Sequence, residues 1–306
     1  MTLPYQLIDA FTSTAFAGNP AAVVHFSAED PRARDAELML AIAREYNLSE
    51  TAFLVPLAPT PEDTGVAHSP RYSLRWFTPT QEFPLCGHAT LASAHALFTT
   101  KHTDAQRLRF ETMSGTLHAA RLDDGRIELD FPADKEVLQP RAGEDEKALL
   151  AMVEQANASV AKAVRGFAIG RLGVVVELDP QFDLSHAKID AKPLAASSRY
   201  FIFTQPAHVH FPESAAVYSR VFDGAEDCPE DPVTGSAHCM LAPYYLSSSS
   251  PGHGGIVSSP HRTATSFLAK QGGPRQGELA VEWDEAEGRV TLRGRAVTVM
   301  EGTLRV

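Results

Sequence analysis

The chain has 306 residues and a mass of 33.1 kDa, which fits one large domain or two domains of ordinary size. Its 44% hydrophobic and 21% charged residues are typical of a folded globular protein and exclude a disordered one. A formal net charge of −11 without any five-residue basic cluster argues against nucleic-acid binding, and no apolar run approaches the roughly 18 residues of a membrane span.

The cysteines and the first residues predict the compartment. Three cysteines, an odd number without paired spacing, do not make a disulfide framework. The N-terminal residues lack a basic segment followed by an apolar one, so no signal peptide is predicted. We therefore expect a cytoplasmic protein, and a homodimer is the assembly expected by default for a soluble enzyme.

Extended runs dominate the chain, and amphipathic helices are few. Two helices with one apolar face are predicted over Ala33–Tyr46 and Glu144–Gln155. Asp123-Asp124-Gly125 is expected to form a hairpin turn. Runs rich in β-branched, aromatic or alternating apolar residues predict strands over Tyr5–Ala10, Ala21–Phe26, Leu48–Val55, Arg71–Phe77, Leu108–Thr112, Thr116–Leu122, Arg126–Phe131, Gly173–Leu178, Tyr200–Thr204, Leu279–Trp283 and Arg289–Leu304.

Two further helical segments, Ala89–Phe98 and Ala237–Leu246, are apolar nearly all round. Such helices are buried, with sheet around them, although Pro243 is expected to kink or shorten the second. Each follows an irregular segment that contains proline and glycine, and the motif glycines Gly87 and Gly235 are 148 residues apart. Because that spacing is about half of the chain, it predicts two similar halves, each a curved sheet around one central helix.

The beginnings of these two helices are candidate ligand sites. The first N–H groups of a helix have no partner within it and carry a partial positive charge, so two such starts facing a shared cleft could hold an anionic substrate. His88 lies at the first start, and Asp231 precedes the second. Glu50 lies in an otherwise apolar strand, where it is either a strand-end carboxylate in water or a buried one suited to general-base work.

Four sequence blocks then carry a resemblance to a known family. They occur in the same order and together resemble the phenazine-biosynthesis PhzF-like family, which has the diaminopimelate epimerase fold. The blocks are Asp9–Thr12 with Gly18–Val24, Asn47–Phe53, Arg75–Pro79 with Cys86–Thr90, and Glu230–Ala237.

The resemblance implies an α+β fold of two pseudo-symmetric halves, each a barrel-like, mostly antiparallel sheet around a central helix. The first half is expected to span residues 1–131, completed by a C-terminal strand at about 297–306, and the second half residues 132–296. The boundary falls near Phe131-Pro132. The family places its active site in the cleft between the halves.

Residue by residue, the resemblance also implies roles. Glu50 matches the glutamate that moves a proton between substrate carbons in the characterised phenazine isomerase, and His88 and Asp231 match its acid/base partners. The expected protein is an isomerase that acts on a small anionic, carboxylate-bearing metabolite, with no cofactor and no metal. The substrate-binding candidates are Gly87, Gly235 and Ser236 at the helix starts, and Asn19, which is first a turn former before Pro20.

Two other functions stay open. Epimerases and racemases of this fold use two opposed cysteines, and Cys86 matches the first of them. The second half has Thr234-Gly235-Ser236 at the matching position, and Cys228 and Cys239 fall elsewhere, so a two-thiol enzyme is disfavoured. An epimerase that depends on Cys86 remains an alternative. A protein that binds a small molecule on this scaffold without catalysis is the other.

Several of these residues also have a purely structural interpretation. Ser236 is most simply the N-cap of its helix, and Asp231 is a good turn residue ahead of a proline. His208 and His210 alternate as on one strand face, but no third ligand has a suitable spacing, so no metal site is predicted. The segment Ser247–Gly255 is predicted to be a flexible surface loop.

Overall fold

The computed structural model describes residues 2–59, 69–138, 144–197, 199–223, 230–250 and 252–306. Cys228 and Pro251 therefore lie outside the described residues. The strands are β1 (Thr2–Ala10), β2 (Asn19–His25), β3 (Glu50–Leu57), β4 (Arg71–Phe77), β5 (Glu82–Phe83), β6 (Arg107–Thr112), β7 (Gly115–Arg121), β8 (Ile127–Pro132), β9 (Val164–Ile169), β10 (Gly173–Leu178), β11 (Tyr200–Pro206), β12 (Val217–Phe222), β13 (Glu230–Asp231), β14 (Ser266–Gln271), β15 (Gly277–Asp284), β16 (Arg289–Gly294) and β17 (Ala296–Arg305). The α-helices are α1 (Ala36–Tyr46), α2 (Gly87–Thr100), α3 (Glu144–Ala156), α4 (Ala158–Ala163), α5 (Gly235–Leu246) and α6 (His253–Ile256).

The chain divides into two compact units, one formed by the chain up to Asp130 with Arg293–Val306, the other by Phe131–Leu292. In the first unit the strand order is β17-β1-β2-β3-β4-β6-β7-β8, and the short β5 pairs with β4. The pairs β2–β3 and β4–β6 are parallel, and the others are antiparallel. Helix α2 packs against β1, β2 and β3, which explains why its sequence is apolar on nearly every face.

The second unit repeats this plan. Its strands follow the order β9-β10-β11-β12-β14-β15, with the short β13 paired to β12. The parallel pairs, β10–β11 and β12–β14, fall at the same places as in the first unit. Helix α5 follows the short strand, as α2 follows β5, and contacts β10 and β15. The predicted α+β fold with two similar halves is confirmed.

Of the two alternative effects predicted for Pro243, a kink or a shortening, the shortening is wrong. Helix α5 runs through the proline to Leu246. A proline inside a helix leaves the carbonyl four residues earlier without its usual donor, here that of Cys239. The backbone N–H of Asp134 donates to that oxygen at 3.0 Å. A residue distant in sequence thus supplies the hydrogen bond that the proline cannot make.

Three other local predictions are corrected. The long strand expected over Arg289–Leu304 is two strands, β16 and β17, separated at Arg295, whose carbonyl accepts the Thr12 N–H at 3.1 Å. His208 and His210 do not share a strand face, because β11 ends at Pro206. The segment from Ser247 includes the short helix α6, and Ser247 and Ser250 are buried rather than in a surface loop.

Within the part of the chain that the structure describes, none of the helices combines the length and the apolar character needed to cross a membrane.

Candidate active site

Glu50 is the first residue of β3 and is buried, with only 6% of its surface exposed. The preceding turn places it there. Helix α1 ends at Asn47, which adopts the left-handed conformation with φ 51° and donates its N–H to the Ala43 carbonyl at 3.0 Å. Strand β3 then starts alongside β2, with Glu50 opposite Ala21 in parallel register. The carboxylate is therefore both at a strand end and buried.

The residue before Glu50 contacts two of the predicted site residues. The Ser49 hydroxyl donates to Asn19 Oδ1 at 3.2 Å and lies 3.4 Å from His88 Nε2. The other ring nitrogen, His88 Nδ1, lies 3.3 Å from Cys86 Sγ. We call these four residues the His88 cluster: Asn19, Ser49, Cys86 and His88. Asn19, Cys86 and His88 are buried.

The directions of these hydrogen bonds determine the histidine tautomer. Because the Ser49 proton points to Asn19, the Ser49 oxygen accepts from His88, and Nε2 carries the ring proton. Nδ1 is then the acceptor for the Cys86 thiol. Burial lowers the pKa of His88 from 6.5 to about 3, so the imidazole is neutral at physiological pH. His88 therefore donates its ring N–H to Ser49 without carrying a positive charge.

Helix α2 starts directly at this cluster. Its N-cap residue is Cys86, whose sulfur is directed to His88 instead of capping the helix, and Gly87 is its first residue. Thr90 and Ser93 on the next turn donate their hydroxyl protons back to the carbonyls of Cys86 and Ala89. These two hydroxyls are thus satisfied within the helix, and His88, its second residue, belongs to the cluster.

The second unit has its own polar cluster at the beginning of α5. The Thr234 hydroxyl donates to Asp231 Oδ2 at 2.6 Å. Gln271, the last residue of β14, donates through Nε2 to the Asp231 carbonyl at 3.0 Å and to Thr234 Oγ1 at 2.9 Å. Its Oε1 accepts from the Thr234 N–H at 2.9 Å. We call Asp231, Thr234 and Gln271 the Asp231 cluster.

This geometry corrects the interpretation of Ser236 as an N-cap. Thr234 is the N-cap of α5, with φ −112° and ψ 105°, and Gly235 and Ser236 are its first two helical residues. The hydroxyl of Thr234 is engaged with Asp231, so the cap position serves the neighbouring carboxylate. Ser236 remains half-buried at the helix start, where a substrate-binding candidate was predicted.

Deeper in α5, two residues have local structural roles. His238 Nδ1 lies 2.9 Å from the Thr234 carbonyl, which can only accept, so Nδ1 carries the proton. Burial lowers the pKa of His238 to about 4, although this hydrogen bond acts in the opposite direction. The Cys239 thiol points to the Gly235 carbonyl at 3.6 Å. Cys239 is thus bound within its own helix, and its thiol is not at the helix start.

The structure therefore groups the predicted residues by unit. The first unit brings Asn19, Cys86 and His88 together, with Gly87 at the helix start. Glu50 follows Ser49 in sequence. The second unit brings Asp231 to the start of α5, where Gly235 and Ser236 lie. Sequence reasoning missed Ser49 and Thr234 as partners, although both belong to the quoted motifs, and it missed Gln271, whose sequence neighbourhood carries no signal.

These observations define a class: an α+β protein in which each of two similar units carries polar residues at the start of a buried helix. The phenazine biosynthesis-like protein family model matches residues 8–302, and the chain belongs to this family, which also confirms the predicted resemblance. It is 38% identical to phenazine biosynthesis-like domain-containing protein 2 of Mus musculus, with 99% of each chain covered. It is 36% identical to an uncharacterized isomerase of Halalkalibacterium halodurans, again over 99% of each. The crystal structure of a PhzF-family phenazine biosynthesis protein from Enterococcus faecalis matches with a TM-score of 0.77 at 31% identity, and all of both chains is covered.

Proposed function

We propose that this protein is an isomerase that moves a proton on a small carboxylate-bearing metabolite, using its own side chains and no cofactor. Glu50 takes the proton from an activated carbon and returns it, or its equivalent after exchange with water, to another position. His88 and Asp231 assist the proton transfer, and the helix starts at Gly87 and Gly235 bind the substrate carboxylate. Membership of the family and the 36% identity to a protein named as an isomerase support an isomerase-type activity.

One observation carries the proposal furthest: the buried carboxylate of Glu50 directly follows Ser49, which lies within hydrogen-bond distance of His88. A carboxylate held away from water is a better base than the same group in solvent. The imidazole of His88 is itself neutral because burial lowers its pKa to about 3, so it carries no positive charge.

The proposed reaction balances without a co-reactant. The Glu50 carboxylate removes a proton from carbon, and the electron pair of that bond moves into the adjacent unsaturated system of the substrate. The N–H groups at a helix start, with the partial positive charge of the helix, stabilise the negative charge that develops. The carboxylic acid then returns the proton to a second carbon, so substrate and product have the same composition.

A metabolite-pool screen in deuterated water tests the proposal. The wild-type protein is incubated with pooled small carboxylic acids, and mass spectrometry identifies compounds that gain carbon-bound deuterium. We expect label in a substrate or its isomer with the wild-type protein and none with a folded Glu50→Gln variant. A ligand that binds in a thermal-shift assay but gains no label would instead support a binding protein without catalysis.

The position of Cys86 favours one second candidate, an epimerase that uses this thiol. Its sulfur lies 3.3 Å from His88 Nδ1, so a neighbouring base is present. Thr234 occupies the corresponding N-cap position of α5, and Cys239 is hydrogen-bonded within that helix. The second thiol of a two-cysteine enzyme therefore has no counterpart at that helix start, and we place the epimerase second.

A further inference from the structure

The Gln271 side chain makes three hydrogen bonds within the Asp231 cluster. It is fully buried at the end of β14, opposite Ser219 of β12 in parallel register. The next residue, Gly272, has φ +108°, and a Cβ there would come within 2.6 Å of the Pro232 carbonyl oxygen. Glycine is therefore required, and it lets the end of β14 approach the segment that follows Asp231.

The three hydrogen bonds of Gln271 leave its amide only one orientation. The N–H of Thr234 needs an acceptor and finds Oε1, while the Asp231 carbonyl needs a donor and finds Nε2. Reversing the amide would place donor against donor and acceptor against acceptor. Gln271 therefore binds the backbone carbonyl of Asp231, and it binds both the backbone N–H and the hydroxyl of Thr234.

This orientation also determines where the Thr234 proton points. Because Thr234 Oγ1 accepts from Gln271 Nε2, its own proton is directed to its other partner, Asp231 Oδ2, at 2.6 Å. A hydroxyl beside a carboxylate could otherwise rotate to a backbone carbonyl. Gln271 thus makes Thr234 a permanent donor to one oxygen of Asp231.

We propose that Gln271 is a positioning residue, which fixes the orientation and hydrogen bonding of the Asp231 carboxylate through Thr234. The inference rests on the proposed function, in which Asp231 assists proton transfer. A carboxylate that can rotate reaches the productive geometry less often, so loss of Gln271 lowers kcat more than it raises KM.

The same unit offers a matched control. Gln205 on β11 is also fully buried, and its Nε2 donates to the Phe182 carbonyl at 3.0 Å. Replacing either glutamine by methionine keeps the approximate shape and removes the amide. For Gln271→Met we expect kcat to fall by roughly 10- to 100-fold with little change in KM, and for Gln205→Met no such fall. Equal kcat losses in the two variants would overturn the proposal.

Thr234 provides the rescue test. Thr234→Val removes the hydroxyl at nearly constant volume, whereas Thr234→Ser keeps it. We expect Thr234→Val to reproduce the kcat loss of Gln271→Met, Thr234→Ser to restore most of the activity, and the double variant to lose less than the product of the two single losses. Independent, multiplicative losses would show that Gln271 does not act through Thr234.

A measurement without substrate separates this proposal from the proposed function. In protein with ¹⁵N-labelled glutamine side chains and ¹³C-labelled threonine, NMR can follow the Gln271 amide protons and the Thr234 hydroxyl proton. We expect slow hydrogen exchange of these protons in the wild type and rapid exchange of the hydroxyl in Gln271→Met. A hydroxyl proton equally protected in the variant would refute the positioning role. Absence of deuterium transfer by the wild-type enzyme would refute the proposed function instead.

Discussion

In each of the two units, an arginine–glutamate ion pair holds the short strand to its neighbour. In the first unit Arg75 on β4 binds Glu82 on β5 through two nitrogen–oxygen contacts of 2.7 Å, with its guanidinium 5.2 Å from the Phe77 ring centre. In the second unit Arg220 on β12 binds Glu230 on β13 through two contacts of 2.7 Å, and lies 5.1 Å from the ring centre of the phenylalanine two residues later. A bidentate pair of this kind fixes direction as well as distance.

The two short strands held by these arginine–glutamate pairs carry different residues. Glu82 is followed by Phe83, whereas Glu230 is followed by Asp231, the predicted acid/base residue. The Arg220 side chain is also only 7% exposed, against 24% for Arg75. Its remaining nitrogen donates to two backbone carbonyls, those of Leu184 and Ala187. The unit whose short strand also carries the predicted acid/base residue Asp231 therefore has the more deeply buried arginine.

The helix starts differ in the same way. The N-cap residue is Cys86 in one unit and Thr234 in the other, and the residue after the glycine is His88 in one and Ser236 in the other. A repeated scaffold thus carries two different sets of polar groups. The repeated scaffold therefore determines where polar groups lie at a helix start, and the side chains at those positions determine which reaction they can support.

We expect the largest difference in activity between substitutions at the first residues of two equivalent strands. Glu50 begins β3 as Tyr200 begins β11, and each precedes the residue that pairs with the last residue of the next strand. We expect Glu50→Gln to lower kcat by about 10²- to 10⁴-fold because it removes the proton carrier. Tyr200→Phe should leave kcat within about threefold, since the matched position lacks a base. Deuterium incorporation measured on folded variants checks both, and a comparable loss in Tyr200→Phe would contradict the assignment.

The two arginine pairs should differ in their contribution to stability. Arg220→Met removes the charged partner of the Glu230 carboxylate and the donor to two backbone carbonyls, and we expect the free energy of unfolding to fall by about 3–5 kcal/mol. Arg75→Met breaks a more exposed pair and should lower it by about 1 kcal/mol or less. Urea denaturation monitored by circular dichroism measures both values. Equal losses would show that the deeper embedding of Arg220 has no energetic consequence.

Acid should destabilise both units through their buried histidines. Burial lowers the folded-state pKa to about 3 for His88 and about 4 for His238, while both titrate near 6.5 when unfolded. Between these values only the unfolded state binds the proton, so stability is retained above pH 6.5 and lost as the pH falls. Each histidine should contribute about 1.4 kcal/mol per pH unit between pH 6 and 5.

Urea denaturation at these two pH values, on the wild type and on the His88→Gln and His238→Gln variants, checks this expectation. Each substitution should lower the pH dependence of the free energy of unfolding by the contribution of one bound proton, about 1.4 kcal/mol per pH unit. His186→Gln is the control, because that side chain is 86% exposed. If the buried-histidine variants kept the full wild-type dependence, the desolvation explanation would be wrong.

The smallest effect is expected at the cysteines. In the proposed isomerase the Cys86 thiol only supports the orientation of His88, so Cys86→Ser should change kcat by less than about threefold. Cys239→Ser, at a buried cysteine of the other unit's helix, controls for packing. A loss of 10²-fold or more in Cys86→Ser alone would instead favour the epimerase that depends on this thiol.

The family and the α+β fold could be predicted because four motifs and two apolar helices are local features of the sequence. The roles of Thr234 and Gln271 could not, because they depend on which strand ends meet. Gln271 lies 40 residues after Asp231, and one glutamine at the end of an unremarkable strand gives no pattern. The prediction of Ser236 as the N-cap is wrong. Serine favours that position, but the N-cap is Thr234, two residues earlier.

The hydrogen bond from Asp134 to the Cys239 carbonyl has a consequence for how the chain folds. Helix α2 contains no proline, so its backbone ladder needs no donor from elsewhere. Helix α5 completes its ladder only after a residue 105 positions earlier has docked against it. Such a long loop must close first, and closing it costs chain entropy. The backbone hydrogen bonds of the first unit's central helix can thus all form locally, whereas those of the second unit's central helix are completed only together with its surroundings.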